Sequence, residues 1–233
     1  GRRFPNNIVT ARYSAKTSGL LLAAGARGWD VGLWRSRDAG RSWEPLDGKG
    51  LPPLKADVHV VSTIVEDRDG SFLVTVSGAP SDGGIYRSRD QGESWTWEGA
   101  GLSSVKGFDF GTNHSQGCWP RLALSPDGTA VTCGQHGCKE LLSLDLGTGE
   151  WKPNGLSRPD WRRYPLAADP HTPGRFLRGG PGDVVESTDG GKSWHVFEPL
   201  RGHLCRSIAF DDRNPGLVAF GCRDAVLISF DIE

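Results

Sequence analysis

Apolar residues occur along this chain in short runs, and each run is bounded by glycine, proline, aspartate or serine. The first three runs are Ile8 to Tyr13, Leu20 to Ala24 and Val31 to Arg35. Short runs rich in β-branched and aromatic residues predict β-strands, and the turn residues between them predict tight connections. The pattern therefore predicts an all-β chain without long helices.

A motif of the form Ser-x-Asp-x-Gly-x-Ser-Trp follows several of these runs. It occurs at Ser36 to Trp43, Ser88 to Trp95 and Ser187 to Trp194, with a divergent copy at Ser143 to Trp151 and a fifth start at Ser229 to Asp231. The aspartates of successive copies are 52, 55, 44 and 42 residues apart. This spacing is typical of a repeat with one four-stranded propeller blade per step.

The residue types of the motif suit a turn between two strands. Aspartate accepts hydrogen bonds from backbone N–H groups, and glycine adopts a positive φ without strain. Tryptophan on the returning strand buries a large apolar area between neighbouring sheets. The motif is therefore predicted to be structural.

The motif resembles the Asp box, or BNR repeat, of sialidases, xyloglucan-active glycoside hydrolases, sortilin receptors and photosystem assembly propellers. This resemblance covers nearly the whole chain and implies a β-propeller of four-stranded blades with Asp-box turns. The Arg-Ile-Pro motif of sialidases is absent, and Arg2 to Pro5 resembles it only loosely. The resemblance therefore implies a fold but not a function, because one fold serves many functions.

The repeat predicts a single domain, residues 1–233, with about five blades at approximately 8–49, 58–100, 119–155, 163–199 and 205–233. The last blade lacks a fourth strand. Two explanations remain open: Arg3 to Asn7 supplies the outer strand, or the propeller is larger and a second chain or a further segment completes it. The absence of methionine agrees with a processed or excised piece of a longer protein.

Charge and apolar content exclude several classes of partner. Lys and Arg number 27 against 28 Asp and Glu, so no global field attracts a polyanion, and nucleic acid is not expected. No run reaches the length of a membrane span, and no membrane partner is expected. Without a phosphate-binding glycine loop between a strand and a helix, no nucleotide cofactor is predicted, and no other cofactor is indicated.

In propellers the ligand face is usually built from the loops that enter the first strand and those that join the second and third strands. Polar residues of these loops include four catalytic candidates, Asp30, His114, His136 and Tyr164. The candidates for substrate binding are Trp29, Trp161, Arg162, Arg163, Arg206 and Arg223. Guanidinium groups bind carboxylates and aromatic faces stack on sugar rings, so the set suits an acidic saccharide.

Each catalytic candidate also has a structural interpretation. Asp30 is a candidate general acid or simply a turn cap. Tyr164 is either a packing residue or a nucleophile or proton donor. In the second case Arg163 would favour the phenolate form of Tyr164. His114 and His136 are a base and an acid for elimination from a uronic acid, or hydrogen-bonding loop residues.

Hydrolysis of a glycoside usually requires two carboxyl groups, and only Asp30 and Asp224 offer such a pair on this face. We therefore expect a propeller that binds a polar or anionic glycan and cleaves it by hydrolysis or elimination. The alternative is a non-enzymatic propeller, like the sortilins or assembly factors, that binds a peptide or protein.

The cysteines offer two further alternatives. All five lie in the later part of the chain, at Cys118, Cys133, Cys138, Cys205 and Cys222. Cys118, Cys133 and Cys138 with His114 and His136 superficially suggest zinc, but their spacing is permissive, and no metal is predicted. Disulfides between Cys133 and Cys138 and between Cys205 and Cys222, or free buried thiols, are favoured over zinc. Disulfides would indicate an oxidising, secreted or extracytoplasmic setting.

Overall fold

The computed structural model describes residues 4–27, 30–55, 59–77, 83–98, 121–133, 140–145, 148, 150–157, 164–180, 182–223 and 227–231. Its strands are antiparallel, and a single turn of 3-10 helix, Glu198–Leu200, is the one helix among the described residues. None of the described helical structure is long and apolar enough to cross a membrane. The prediction of an all-β chain is confirmed.

The strands belong to two compact units, and the first unit contains two four-stranded sheets. Sheet one consists of β1 (Asn7–Tyr13), β2 (Leu21–Arg27), β3 (Asp30–Ser36) and β4 (Glu44–Leu46). Sheet two consists of β5 (Val61–Glu66), β6 (Phe72–Val76), β7 (Gly84–Ser88) and β8 (Thr96–Trp97). In both sheets the strands are neighbours in the order in which they follow along the chain.

The second unit contains the other three sheets, with the same sequential order. Sheet three consists of β9 (Arg121–Leu124), β10 (Thr129–Cys133), β11 (Glu140–Asp145) and β12 (Glu150–Ser157). Sheet four consists of β13 (Leu166–Ala168), β14 (Phe176–Gly179), β15 (Val184–Ser187) and β16 (His195–Val196). Sheet five consists of β17 (Cys205–Phe210), β18 (Leu217–Cys222) and β19 (Leu227–Asp231).

Each unit has an apolar core to which more than one sheet contributes. In the first unit, Leu22 and Leu46 of sheet one belong to the same buried cluster as Val74 and Trp95 of sheet two. In the second unit, a buried cluster joins Leu177 of sheet four to residues of sheet five. Neighbouring sheets within a unit are therefore packed face to face by burial of apolar side chains.

The motif tryptophans were predicted to open the fourth strands, but the strands begin one residue later, at Glu44, Thr96 and His195. The reason is local hydrogen bonding. The indole Nε1 of Trp43 donates to the carbonyl of Gly40 over 3.0 Å, and Trp95 and Trp194 make the same bond in their own turns. Each tryptophan is thus part of the turn.

The segment from Arg3 to Asn7 was one candidate for an outer strand of sheet five. In the structure Asn7 opens β1, where it pairs with Ala26, and the Phe4 ring lies 4.5 Å from the Trp43 ring. Phe4 therefore packs on sheet one. Sheet five has three strands among the described residues.

Candidate functional site

The antiparallel order gives every sheet two different ends. The connections from first to second strand and from third to fourth strand lie at one end, which we call the turn end. The segment that enters the first strand and the connection from second to third strand lie at the opposite end, which we call the loop end. Among the described residues, the predicted site residues Asp30, Tyr164, Arg206 and Arg223 belong to loop ends, and the Ser-x-Asp-x-Gly-x-Ser-Trp turns belong to turn ends.

Side chains at the turn ends are largely occupied by internal hydrogen bonds. In the first turn, Oδ1 and Oδ2 of Asp38 accept from the backbone N–H and the hydroxyl of Ser42 over 2.8 and 2.6 Å, while Ser36 Oγ accepts from Gly40 N–H over 2.8 Å. The turns centred on Asp90 and Asp189 repeat this set of bonds within about 0.1 Å. The three aspartates are therefore structural in this arrangement.

The same bonds stabilise the charged form of the aspartates. Hydrogen bonds from Ser42, first from its side chain and then from its backbone, lower the pKa of Asp38 to about 2. Burial raises the pKa of Asp189, but hydrogen bonds from Ser193 and Ser187 outweigh burial and lower it to about 2. Neither carboxylate is suited to general acid catalysis near neutral pH, because each stays ionised.

At the loop end of sheet one, Asp30 is the first residue of β3 and pairs with Arg27, the last residue of β2. This register places Asp30 at the loop end, as the sequence predicted. Trp29 lies outside the described residues.

At the loop end of sheets four and five, Tyr164 lies two residues before β13 and is half-buried. The carbonyl of Pro165 accepts a hydrogen bond from Gly179 N–H over 3.0 Å, and a Cβ added at Gly179 would lie 2.9 Å from the carbonyl oxygen of Cys205. Tyr164, next to Pro165 in the chain, therefore lies at the part of sheet four that approaches Cys205.

A disulfide joins Cys205 at the start of β17 to Cys222 at the end of β18. The two cysteines are directly paired in the strand register and are buried, at 0% and 9% exposure. Of the two disulfides considered from the sequence, this one is present. Cys133 ends β10, while Cys138 lies outside the described residues.

Each disulfide cysteine is followed by one of the predicted substrate-binding arginines, Arg206 or Arg223. Both arginines are exposed, and the backbone N–H of Arg223 donates to the carbonyl of Leu204 over 2.8 Å. The structure thus brings these two arginines to one end of one strand pair, close to the part of sheet four that Tyr164 precedes.

Two polar residues at this end were not singled out from the sequence. Asp183, in the loop before β15, accepts a hydrogen bond from Gly202 N–H over 3.1 Å and so joins that loop to the segment before β17. Arg178 on β14 is buried, at 3% exposure. A buried arginine in a strand has no signature in the sequence, whereas Asp183 follows Gly182 in a typical turn pair.

Six of the predicted site residues fall outside the described residues, namely Trp29, His114, His136, Trp161, Arg162 and Arg163. Within the described residues, no group of three or more His, Cys, Asp or Glu side chains is placed to hold a metal ion. The described part of the loop end of sheets four and five thus carries the exposed Arg206 and Arg223, the phenol of Tyr164, and the carboxylates of Asp183 and Glu198, which already have partners.

The chain matches no protein-family model. It also matches no curated protein sequence. Similarity is found among solved structures. A GH74 xyloglucanase from Xanthomonas campestris aligns with a TM-score of 0.61 and 18% identity over 94% of this chain and 36% of the xyloglucanase. This chain thus spans about a third of that enzyme's length.

Two further structures are similar to a comparable degree. YCF48 bound to D1 peptide aligns with a TM-score of 0.53 and 15% identity over 91% of this chain and 62% of YCF48. A gluconolactonase from Xanthomonas campestris aligns with a TM-score of 0.62 and 16% identity over 96% of this chain and 71% of that enzyme. At such identities the similarity concerns the fold alone, and it shows an all-β architecture of four-stranded antiparallel sheets of the β-propeller class.

Proposed function

We propose that this protein is an Asp-box β-propeller of five blades that binds a polar or anionic glycan and cleaves it. The observation that carries the proposal is the exposed pair Arg206 and Arg223 near Tyr164 at one loop end. Guanidinium groups and a phenol suit the carboxylates and hydroxyls of an acidic sugar. Similarity in fold to a GH74 xyloglucanase and a gluconolactonase supports a carbohydrate substrate.

Hydrolysis and elimination are both forms of this proposal. At the loop ends of the second unit the described carboxylates include Asp183, which accepts a hydrogen bond from Gly202 N–H, Glu198, which pairs with Arg201, and Glu140, the first residue of β11. We assign proton transfer to Tyr164, with His114 and His136 as base and acid and Asp30 as a further general acid. Substrate binding is assigned to Trp29, Trp161, Arg162, Arg163, Arg206 and Arg223.

We further propose a secreted or extracytoplasmic location. The disulfide between Cys205 and Cys222 supports this location, because structural disulfides persist in oxidising compartments.

The second candidate function is recognition of a peptide or protein without catalysis. The similarity in fold to YCF48 bound to D1 peptide favours it. In this case the same loop ends would hold an acidic peptide, and no covalent change would follow. A second chain or a further segment that completes the propeller belongs to the same proposal.

The two functions are separated by incubating the purified chain with acidic and neutral oligosaccharides and analysing the products by mass spectrometry. An unsaturated product indicates a lyase, and a product with added water indicates a hydrolase. Tyr164→Phe should abolish turnover while binding persists, and Tyr13→Phe, a tyrosine at the turn end of sheet one, is the matched control. Absence of any product, together with binding of an acidic peptide, would support the recognition protein instead.

A further inference from the structure

The strand pair that carries the disulfide also carries a compact set of donors for an anion. Cys205 and Cys222 are paired side by side and their sulfur atoms are buried. Arg223 lies directly after the end of β18, next to Cys222, and is exposed.

Arg206, next to Cys205, lies at an irregularity in the strand pair. The register shifts between Cys205 and Ser207, so that Ser207 pairs with Gly221 and Arg206 is the extra residue. The extra residue of such a bulge re-aims its side chain locally. Arg206 and Ser207 are both exposed.

Gly221 leaves room for the side chain of Ser207, its partner in the strand register. A Cβ at this position would collide with the hydroxyl oxygen of Ser207, so a larger residue would displace that hydroxyl. Ser207 therefore keeps its hydroxyl exposed next to Arg206, at the end of the strand pair that also carries Arg223. Diagonal neighbours across an antiparallel pair are about 7–8 Å apart, a gap that two arginine side chains span when they bind one anion between them.

Neither arginine has a carboxylate partner among the described residues. By contrast, Arg35, Arg87 and Arg175, which are buried, each form ion pairs with two carboxylates. Exposed Arg201 pairs with Glu198. Within the described residues, the guanidinium groups of Arg206 and Arg223 thus form no ion pair.

We propose that Arg206, Ser207 and Arg223 form a binding site for one carboxylate or sulfate group, and that the Cys205–Cys222 disulfide holds the two arginines at binding distance. The inference rests on the proposed glycan function and specifies its substrate class as an anionic saccharide. It also makes binding redox-dependent, because reduction frees the end of β17 from β18. Both arginines then lose their fixed separation, and preorganised donors bind more tightly than mobile ones.

Isothermal titration with an oligogalacturonate, a sulfated carrageenan oligosaccharide and a neutral xyloglucan oligosaccharide tests the site. The first two probes distinguish a carboxylate ligand from a sulfate ligand. Each charge-assisted contact is strong enough that R206Q/R223Q should bind the anionic probe at least about tenfold more weakly. The matched control is Arg213→Gln, an exposed arginine at the turn end of the same sheet, which should bind as the wild type does.

The role of the disulfide is tested with C205S/C222S and with the wild-type protein in tris(2-carboxyethyl)phosphine. Both should bind the anionic probe more weakly, while circular dichroism confirms that the sheets remain folded. Anion binding that R206Q/R223Q leaves unchanged would overturn the site, and anion binding that reduction leaves unchanged would overturn the role of the disulfide. A wild-type protein that binds or cleaves only the neutral probe would also overturn the site, yet it would leave the proposed glycan function standing.

Discussion

The guanidinium of Arg35 on β3 of sheet one donates over 3.0 Å to the backbone carbonyl of Gln91, which lies in the turn of sheet two. The same side chain contacts Glu44 of its own sheet over 2.6 Å and Glu93 of that turn over 2.5 Å. Because Arg35 is buried, at 4% exposure, these bonds join the turn of one sheet to the body of the preceding sheet.

Replacing Arg35 should therefore destabilise the first unit. We expect Arg35→Ala to lower the free energy of unfolding by about 1–3 kcal/mol, since Glu44, Glu93 and the Gln91 carbonyl lose a buried charged donor. Urea denaturation measures this change. Arg37→Ala is the matched control, because Arg37 contacts the Gln91 side chain of the same turn but is exposed. This variant should lower the free energy of unfolding by less than about 0.5 kcal/mol. Equal losses in the two variants would contradict this distinction.

The tryptophans of the motif should differ in their contribution to stability. Trp95 is 4% exposed and belongs to the core cluster of the first unit, whereas Trp43 is half-buried. Trp95→Ala should lower the free energy of unfolding by about 3–5 kcal/mol. Trp43→Ala should lower it clearly less, and activity per folded molecule should be unchanged in both variants. A melting temperature that Trp95→Ala leaves unaltered would refute the packing role of this ring.

The depressed pKa of Asp189 should make stability depend on pH. Its carboxyl has an ordinary pKa of 3.8 and a folded pKa of about 2, so its charged form stabilises the fold above the higher value. This contribution is lost as the pH falls towards the lower value. Asp189→Asn should therefore unfold more easily than the wild type near neutral pH, and the difference in urea midpoint should shrink from about pH 5 to about pH 2.

A second variant tests the cause of that pH dependence. Ser193 Oγ donates to Asp189 Oδ2 over 2.6 Å, and this bond favours the ionised carboxyl. Ser193→Ala should thus lose less stability on acidification than the wild type does. Identical pH profiles for the two proteins would assign the effect to another group.

Glycine at position 50 should be required for close packing of two segments of the first unit. Its φ is +91°, and a Cβ would overlap the carbonyl oxygen of Trp95. Gly50→Ala should therefore lower the free energy of unfolding by well above the ~1 kcal/mol that a positive φ alone costs a residue with a Cβ. Gly128→Ala is the control, because Gly128 has a φ of +86° but no atom within 4 Å of an added Cβ. Thermal unfolding of both variants gives the comparison.

The disulfide should contribute to the stability of sheet five. It closes a loop with a sequence separation of 17 residues, for which the expected stabilisation is about 3 kcal/mol. The C205S/C222S variant should unfold at a lower temperature than the wild type, and reductant should not lower that temperature further. Alkylation of both cysteines in the native protein without reductant would show that the bond is not formed.

Local patterns in the amino-acid sequence predict the all-β class, the strand positions of sheet one to within a few residues, and the location of the motif turns. These features depend on local interactions: Ser36, Asp38, Gly40 and Ser42 bond to one another within a single turn. Side-chain alternation and turn chemistry act over the same short range, so they can be recognised in a linear pattern.

Only the tertiary structure decided which copies of the motif are buried, which cysteines pair, and which arginines are held inside. Trp95 and Trp43 occupy the same position of the same motif, yet only Trp95 joins the core cluster. Arg35 is enclosed by carboxylates while Arg206 is exposed beside a disulfide. These outcomes depend on contacts between residues far apart in the chain, and no local pattern encodes which distant sheet a side chain will meet.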